Sequence, residues 1–328
     1  ELLKNIEHIV LRLVSSLKYE ESVTLKIPLG LPGGLKFRRI SYNNRSSRHR
    51  FCLVLHLLAE IHRLHIVGGS CTIRGLYYRD TALIRSQPYI VAARLDVCRM
   101  LNTSYVQIGV LSATKGLISG DIQLIMSNGD VLNCNEYCGA IALPTDFQQL
   151  ERIVTDADLV LVVEKESIFE SLTSDNIFSK YGLRIILITG KGYPDCTTRH
   201  IVHRLATDFK IPVYILADAD PFGIEIMLVY KHGSQSMSFS SATMATPALR
   251  WIGLHPSEIG SVSTRTVPLT QNDNKKIRNI LCWQHISLGV RKELFILLEK
   301  QLKAEIESVI DFLSCYYLPN KINRNLFL

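Results

Sequence analysis

The sequence predicts a mixed α/β protein in which a largely helical part precedes a parallel sheet. The chain has 328 residues, enough for two domains of ordinary size. It is 47% hydrophobic and 20% charged, as is typical of a folded protein. After Pro144 the pattern changes from long helices to alternating short strands and helices. No apolar run approaches the roughly 18–20 residues that cross a bilayer, so we expect no membrane partner.

The first part of the chain begins with an amphipathic helix. Apolar residues recur at helical spacing from Leu2 to Leu17, and this apolar stripe must bury against the chain's own body or against a partner. Alternating and apolar patterns then predict two strands and two long helices. These are strands Val23–Leu29 and Phe37–Ile40 and helices Arg50–His65 and Ser86–Leu101.

A β-hairpin is predicted after these helices. Its strands are Gln107–Val110 and Leu117–Leu124, joined by the loop Ala113–Gly116. Two helices followed by a hairpin are typical of a winged helix-turn-helix, a common DNA-docking fold that also mediates protein contacts.

The second part reads as a βαβαβ series, which favours a parallel sheet with helices on its faces. The predicted strands are Leu159–Val163, Leu183–Thr189 and Val213–Leu216, and helices are predicted from Ser167, over Thr197–Thr207 and from Phe222. A long amphipathic helix is predicted over Arg291–Leu313. We therefore divide the chain into residues 1–18, a possible partner-binding helix, residues 19–146, a winged-helix domain, and residues 147–328, the sheet domain with its C-terminal helix.

The net charge of +7 permits a polyanionic partner. A cluster of basic residues without acids lies between residues 36 and 50 and is either a solvated basic loop or a surface that contacts phosphates. The candidate DNA contacts are Lys36, Arg38, Arg39, Arg48, Arg50, Lys115 and Lys231.

Acidic residues follow two of the predicted strands. Glu164 comes directly after Leu159–Val163, and Asp218 and Asp220 come after Val213–Leu216. Functional groups of open α/β sheets gather beyond the carboxyl ends of parallel strands, and converging carboxylates repel one another unless a cation neutralises them. Because all the ligands are oxygens, Mg²⁺ is the natural candidate. The alternative is that Asp218-Ala219-Asp220-Pro221 is a turn with a helix N-cap.

Two adjacent tyrosines, Tyr77 and Tyr78, lie between Arg74 and Arg79. Among 13 tyrosines most are packing residues with a polar tip, so this pair alone is suggestive of a nucleophile and no more.

Several motifs in order along the chain resemble one family. The acids in their βαβαβ frame resemble a Toprim domain, the magnesium-binding fold of topoisomerases, DnaG-type primases and some nucleases. The further motifs resemble the A subunit of topoisomerase VI and its eukaryotic relative, the meiotic double-strand-break transesterase. They are Val163–Phe169, Thr189–Asp195, Asp218–Gly223, Tyr230–Ser234 and Trp251–Leu254, with Arg74-x-Leu76-Tyr77-Tyr78, Ser86-Gln87 and Lys115–Gly120 upstream. The resemblance covers residues 25 to 256.

The resemblance implies a fold and a set of roles. The fold is a winged-helix (CAP-like) domain followed by a Rossmann-like Toprim domain. Tyr78 occupies the position of the nucleophile and Arg74 that of an arginine needed for cleavage. Glu164, Asp218 and Asp220 occupy the metal-site positions. The family usually has an acid after the arginine, and here it is Gly75.

The implied activity is a magnesium-dependent DNA transesterification that makes double-strand breaks through a 5′-phosphotyrosyl link and initiates meiotic recombination. The implied partners are double-stranded DNA, a second copy of the chain, accessory break-formation proteins and a B-type (GHKL/transducer-like) subunit, with a location on chromosomes in the nucleus. Three alternatives stay open: the A subunit of a strand-passing type IIB topoisomerase, a Toprim nuclease that uses water, and a non-catalytic DNA-binding paralogue.

Overall fold

The protein forms two compact units, residues 1–113 and residues 114–328. The computed structural model describes residues 1–19, 22–29, 36–135, 140–175, 182–233, 244–263 and 265–328. The mixed α/β class predicted from the sequence is confirmed. Among the described residues, no helix is both long and apolar enough to span a membrane.

The first unit is mainly helical. Its helices are α1 (Leu2–Lys18), α2 (Arg48–Val67), α3 (Ile73–Arg79), α4 (Thr81–Ile84) and α5 (Gln87–Leu101), and its strands are β1 (Thr24–Pro28), β2 (Phe37–Ser41), β3 (Cys71–Thr72) and β4 (Val110–Leu111). Helix α2 buries residues at spacings of three and four, including Leu53, Leu57 and Ile61, as its sequence pattern predicts. Strands β1 and β2 lie between α1 and α2 in the chain and pair in antiparallel fashion.

The predicted wing hairpin is wrong. Residues Val110–Leu111 pair in parallel with Cys71–Thr72, whereas Leu117–Gly120 pairs with a strand of the second unit's sheet. The sequence shows that both segments are apolar enough for strands, but the partner of a strand depends on distant residues that periodicity does not reveal. The winged-helix assignment is therefore not confirmed.

The second unit is built on a six-stranded sheet in which four strands run parallel. Its order is β13 (Arg250–Gly253), β12 (Val213–Leu216), β10 (Leu159–Val163), β11 (Ile185–Thr189), β5 (Leu117–Gly120) and β8 (Ile141–Ala142), with β5 antiparallel to both of its neighbours. Every residue of β10, β11 and β12 is buried, as expected for strands in the middle of a parallel sheet. The predicted parallel sheet is confirmed.

The second unit also contains strands and helices outside the six-stranded sheet. Strands β6 (Gln123–Met126), β7 (Val131–Asn133) and β9 (Leu150–Val154) form an antiparallel sheet, and β14 (Val267–Pro268) pairs with β15 (Leu302–Lys303). The helices are α6 (Glu166–Ser174), α7 (Cys196–Thr207), α8 (Pro221–His232), α9 (Gln271–Leu281), α10 (Leu288–Lys300), α11 (Ile310–Phe312) and α12 (Leu318–Asn323).

The predicted helix over Arg291–Leu313 is not continuous, because α10 ends at Lys300 and helical turns resume only at Ile306. Gln301 ends α10 in the left-handed conformation, with φ of 51°, and its N–H bonds back to the Leu297 carbonyl. The chain is then extended over Leu302–Glu305, where Ala304 bridges to Ala219 beside the acidic loop, and it turns into a 3₁₀ helix over Ile306–Val309. We call Leu302–Val309 the strap.

The boundary between the units lies upstream of the one predicted between residues 146 and 147. Strands β5 and β8 come before residue 146 and belong to the sheet of the second unit. Short antiparallel strands therefore extend this sheet at one side, an arrangement that the βαβαβ pattern does not include.

Candidate active site

Tyr78 lies on the outward face of the short helix α3. Thr72 caps this helix by accepting a hydrogen bond from the Gly75 N–H at 3.0 Å, and Ile73 and Leu76 are buried beneath it. Tyr78 is 62% exposed, whereas Tyr77 is half-buried. A phenol that must reach a DNA phosphate needs this exposure, so the geometry favours Tyr78 over its neighbour.

Arg74 and Tyr78 are four residues apart on α3 and therefore lie on the same helix face. The guanidinium carbon of Arg74 lies 5.8 Å from the centre of the Tyr78 ring, within the range of a cation–π contact. Arg79 instead pairs with Glu60 at 3.3 Å. Of the two arginines that flank the tyrosines, Arg74 is thus the one that accompanies Tyr78.

The three acids lie at the carboxyl edge of the parallel sheet in the second unit. Glu164 directly follows β10, and its Oε2 accepts a hydrogen bond from the Asp218 N–H at 2.9 Å. Asp220 caps α8, with its Oδ1 accepting the Gly223 N–H at 2.6 Å. The helix-cap alternative is therefore correct for Asp220, and the same loop also brings Asp218 against Glu164.

Burial and mutual repulsion make these carboxylates unusually basic. Burial, followed by the negative charges of Asp218 and Asp220, raises the pKa of Glu164 well above its usual range. Burial also raises the pKa of Asp218, although the Lys165 ammonium and the Ile306 N–H oppose the shift. Because the ionised forms of Glu164 and Asp218 are disfavoured, a nearby positive charge stabilises these carboxylates.

Lys165 and the strap supply part of that charge and fix Asp218. The Lys165 ammonium lies 3.0 Å from Asp218 Oδ2 and 2.6 Å from Glu307 Oε2. Asp218 Oδ1 accepts a hydrogen bond from the Ile306 N–H at 2.9 Å. Both oxygens of Asp218 are thereby held, one by an ammonium and the other by the strap backbone.

The donor set fits a hard divalent cation, although the side chains do not converge on one point. Within the described ranges, no group of three histidine, cysteine or acidic side chains is arranged to hold a metal ion. Glu164 and Asp218 are buried and Asp220 is partly buried, all three offer only oxygen ligands, and the Lys165 ammonium beside Asp218 occupies the place of a counter-cation. The chemistry of this edge therefore fits a divalent cation with oxygen ligands.

Sequence reasoning misses the roles of Lys165, Glu305 and Glu307. Lys165 lies inside the motif Val163–Phe169, but nothing local shows which acids it faces. The strap is predicted as a helix, yet its residues alternate between buried and more exposed, with Ala304 and Ile306 inside and Glu305 and Glu307 outside. That period of two is a strand signal, and it could have identified the segment.

Two of the candidate DNA contacts form ion pairs with a buried carboxylate. Arg38 and Arg50 both pair with Asp96, whose side chain is 1% exposed, with Arg50 at 2.7 Å. A buried carboxylate requires such partners. Among the other candidates, Lys36, Arg39 and Arg48 are exposed in the first unit, and Lys115 is exposed in the second. Lys231 is partly buried, and burial lowers the pKa of its ammonium group.

Replacing Arg50 by alanine is expected to destabilise the protein by about 1–3 kcal/mol, because Asp96 loses a partner while staying buried. Replacing Arg39 by alanine is expected to leave stability unchanged and to reduce the salt dependence of DNA binding by about one counterion. Denaturant unfolding and binding at several salt concentrations measure the two effects. A destabilised Arg39→Ala variant, or an unaffected Arg50→Ala variant, contradicts this division of roles.

Gly223 has no room for a side chain. A Cβ there lies 2.5 Å from the Asp218 carbonyl oxygen and 3.0 Å from Glu164 Oε2. We expect Gly223→Ala to cost about 1–3 kcal/mol of unfolding free energy, because the acidic loop must move. Gly69→Ala is a matched control, since the nearest atom to its Cβ is 3.7 Å away. If denaturant unfolding finds the two variants equally stable, a side chain at position 223 does not crowd Asp218 and Glu164.

These features define a class of protein. A sheet whose carboxyl edge gathers buried acids, in a chain whose other unit exposes a tyrosine beside an arginine, is typical of a Toprim-containing DNA-cleaving enzyme. Residues 159–322 match the family model of the Toprim domain shared by the topoisomerase 6 A subunit and Spo11, and residues 49–110 match "Type IIB DNA topoisomerase". The chain belongs to the family of the topoisomerase 6 A subunit and Spo11, and it is a topoisomerase-like, DNA-cleaving enzyme. Toprim domains in general bind divalent metal ions.

Curated relatives agree with this assignment. The chain is 57% identical to "Meiotic recombination protein W68" of Drosophila melanogaster over 100% of its length and 99% of the relative's. It is 37% identical to "Meiotic recombination protein SPO11" of Homo sapiens, over 94% of this chain and 78% of that one. It is 31% identical to the A subunit of DNA topoisomerase 6 of Arabidopsis thaliana, over 86% and 68% respectively.

Proposed function

We propose that the protein makes DNA double-strand breaks in meiosis by a magnesium-dependent transesterification in which Tyr78 becomes linked to a 5′ end. The observation that carries the proposal is the exposed Tyr78 under the Arg74 guanidinium, in a chain similar to two meiotic recombination proteins along most of its length. The meiotic relatives favour this role over that of a strand-passing topoisomerase.

The proposed step exchanges one phosphate ester for another. The Tyr78 oxygen loses its proton and bonds to phosphorus, while the bond from phosphorus to the 3′ oxygen breaks and that oxygen leaves as a hydroxyl. A phenol has a pKa of about 10, so it needs help at neutral pH. Arg74 is placed to stabilise the phenolate and the charge that develops on the phosphate. The energy of the broken ester is kept in the new one.

Glu164, Asp218 and Asp220 are the residues proposed to hold Mg²⁺. When bound, the ion supplies Lewis-acid polarisation of the phosphate and neutralises the leaving oxygen. The contribution of the chain is to bring buried carboxylates together at the end of β10 and β12 and to fix Asp218 through the strap. The raised pKa values of Glu164 and Asp218 favour occupation by a cation.

The active form is proposed to be a homodimer in which the tyrosine of one copy works with the acids of the other. The tyrosine and the acids belong to separate units of the chain, residues 1–113 and 114–328, which is compatible with such sharing. The first unit, with its exposed Lys36, Arg39 and Arg48, is the proposed DNA-docking and cleavage part.

Further partners are expected on α1. Its residues Ile6 and Leu13 are buried, but Val10, Val14 and Leu17 are exposed, so half of the apolar stripe is open. The Arabidopsis relative is named as the A subunit of its enzyme, which implies another subunit in that protein. We propose accessory break-formation proteins and a B-type (GHKL/transducer-like) subunit as partners here, and a location on chromosomes in the nucleus.

The proposal is tested by recovering protein-linked DNA under denaturing conditions, with magnesium or with chelator. We expect covalent complexes only with magnesium, blocked 5′ ends, free 3′ hydroxyls and attachment to both strands, as a dimer requires. Protein-free ends favour the nuclease alternative instead, and relaxation of supercoiled DNA with a B-type partner favours the strand-passing one. Absence of cutting with all partners supplied favours the non-catalytic paralogue.

A further inference from the structure

Lys165 has two sets of partners within reach of one ammonium group. On one side is Asp218, a proposed metal ligand, at 3.0 Å. On the other are Glu307 at 2.6 Å and Glu305 at 3.3 Å, both on the strap. The lysine side chain is 25% exposed, so it lies at the rim of the site, where it can change partner without unfolding anything. A flexible four-carbon stem suits such a movement.

The strap acids, Glu305 and Glu307, are positioned to pair with the Lys165 ammonium. Glu307 Oε1 accepts a hydrogen bond from the Ser167 hydroxyl at 3.2 Å, which fixes its orientation from the start of α6. The strap itself is anchored by the Ala219–Ala304 pair and by the buried Ile306. Neither Glu305 nor Glu307 is among the acids that the family motifs assign to the metal.

A divalent cation at Asp218 and an ammonium 3.0 Å from the same carboxylate repel each other. The cation can bind only if Lys165 withdraws its charge, and Glu305 and Glu307 offer the nearest compensation. Without Lys165, Asp218 in the metal-free protein loses the ammonium that pairs with its Oδ2.

We propose that Lys165 is an internal counter-ion that exchanges with the divalent cation: it pairs with Asp218 as well as with Glu305 and Glu307 in the metal-free protein, and it leaves Asp218 and pairs with the strap acids alone in the metal-bound protein. It is a positioning residue, because it acts through Asp218 and touches no reacting atom. This inference rests on the metal site of the proposed function. It adds that metal affinity is set partly by the strap.

Two substitutions test the exchange in opposite directions. Lys165→Met keeps most of the side chain but removes the competing charge, so Mn²⁺ should bind about tenfold more tightly, a change of about 1.4 kcal/mol. Glu307→Gln removes the alternative partner and leaves Lys165 on Asp218, so Mn²⁺ should bind more weakly. Electron paramagnetic resonance of free Mn²⁺ in the presence of the full chain gives both dissociation constants without any cleavage assay.

Lys276→Met is the matched control. Lys276 pairs with Glu225 at 2.6 Å, its side chain is 24% exposed, and its partner is not a proposed metal ligand. We expect its Mn²⁺ affinity to equal that of the unchanged protein, and we expect Lys165→Arg to stay close to the unchanged protein as well. In chelator, Lys165→Met should be less stable by denaturant unfolding, since Asp218 loses its ion pair.

The outcomes separate this inference from the proposed metal site. If neither the unchanged chain nor Lys165→Met binds Mn²⁺, the metal site fails and the exchange with it. If the unchanged chain binds Mn²⁺ and Lys165→Met binds equally or more weakly, the metal site stands and the exchange is overturned, because a merely structural lysine lowers stability without tightening the metal. Should Lys165→Met fail to fold, Glu307→Gln decides: weaker binding supports the exchange, and unchanged or tighter binding overturns it.

Discussion

Tyr78→Phe should reduce the covalent attachment of the protein to DNA by about a thousandfold or more, while its non-covalent affinity for DNA is unchanged. The substitution removes only the oxygen that we propose attacks phosphorus. The ring keeps its contact with Arg74, and its exposed position on α3 means that little packing is disturbed. Recovery of DNA-linked protein after denaturation measures the covalent attachment. Binding to a DNA duplex at fixed salt concentration measures the non-covalent affinity.

Tyr77→Phe is the control for this result. Its ring centre lies 5.3 Å from that of Tyr78, it shares the same helix, and it is half-buried. We expect Tyr77→Phe to form covalent complexes at close to the normal level. If Tyr78→Phe still formed them and Tyr77→Phe did not, the nucleophile would be assigned wrongly by one residue.

Glu164→Gln should have the second largest effect, and its consequences for activity and stability should have opposite signs. Loss of one carboxylate of the proposed metal site is expected to reduce magnesium-dependent cleavage by about a hundredfold or more. The amide oxygen of glutamine can still accept the Asp218 N–H. Because a neutral side chain replaces a buried carboxylate crowded by other acids, stability in chelator at pH 7 should rise by about 1 kcal/mol or more.

The pH dependence of stability gives an independent check of Glu164. Its pKa in the folded protein is raised, mainly by burial, above the unfolded value of about 4.3. Above that pH the folded state therefore binds more protons than the unfolded state, and the unfolding free energy falls as pH rises toward the folded pKa. Glu164→Gln should lack this part of the slope.

Denaturant unfolding in chelator across pH compares the unchanged protein with two variants. Glu166→Gln is the control, since Glu166 is 43% exposed and pairs with Lys191 outside the acidic edge. It should keep both the cleavage activity and the pH slope. Parallel slopes for Glu164→Gln and the unchanged protein contradict the repulsion among the acids.

Much of the second unit could be predicted from sequence because its strands are wholly apolar. The strand Leu159–Val163 is predicted with the bounds that the structure has, since five consecutive apolar residues bounded by acids have few other interpretations. Its neighbours along the chain obey the parallel-crossover rule, so the position of Glu164 and Asp218 at one edge follows.

Other features depend on contacts between distant residues. The strap resembles a continuous helix in sequence because Lys-Ala-Glu-Ile-Glu has high helix propensity, whereas its first half is extended and Ala304 pairs with the distant Ala219. Arg38 and Arg50 resemble DNA contacts because nothing local shows that Asp96 is buried between them. The wing hairpin fails for the same reason, since its two strands pair with different partners.

The choice of Tyr78 depends on the family motif, and the structure adds a physical argument in its exposure and its Arg74 neighbour. The most direct measurement digests the DNA of the covalent complex and identifies, by mass spectrometry, the peptide that retains a nucleotide. We predict that the nucleotide is attached through its 5′ phosphate to Tyr78. A nucleotide on Tyr77 or any other residue, or cut DNA with protein-free 5′ ends, contradicts the mechanism.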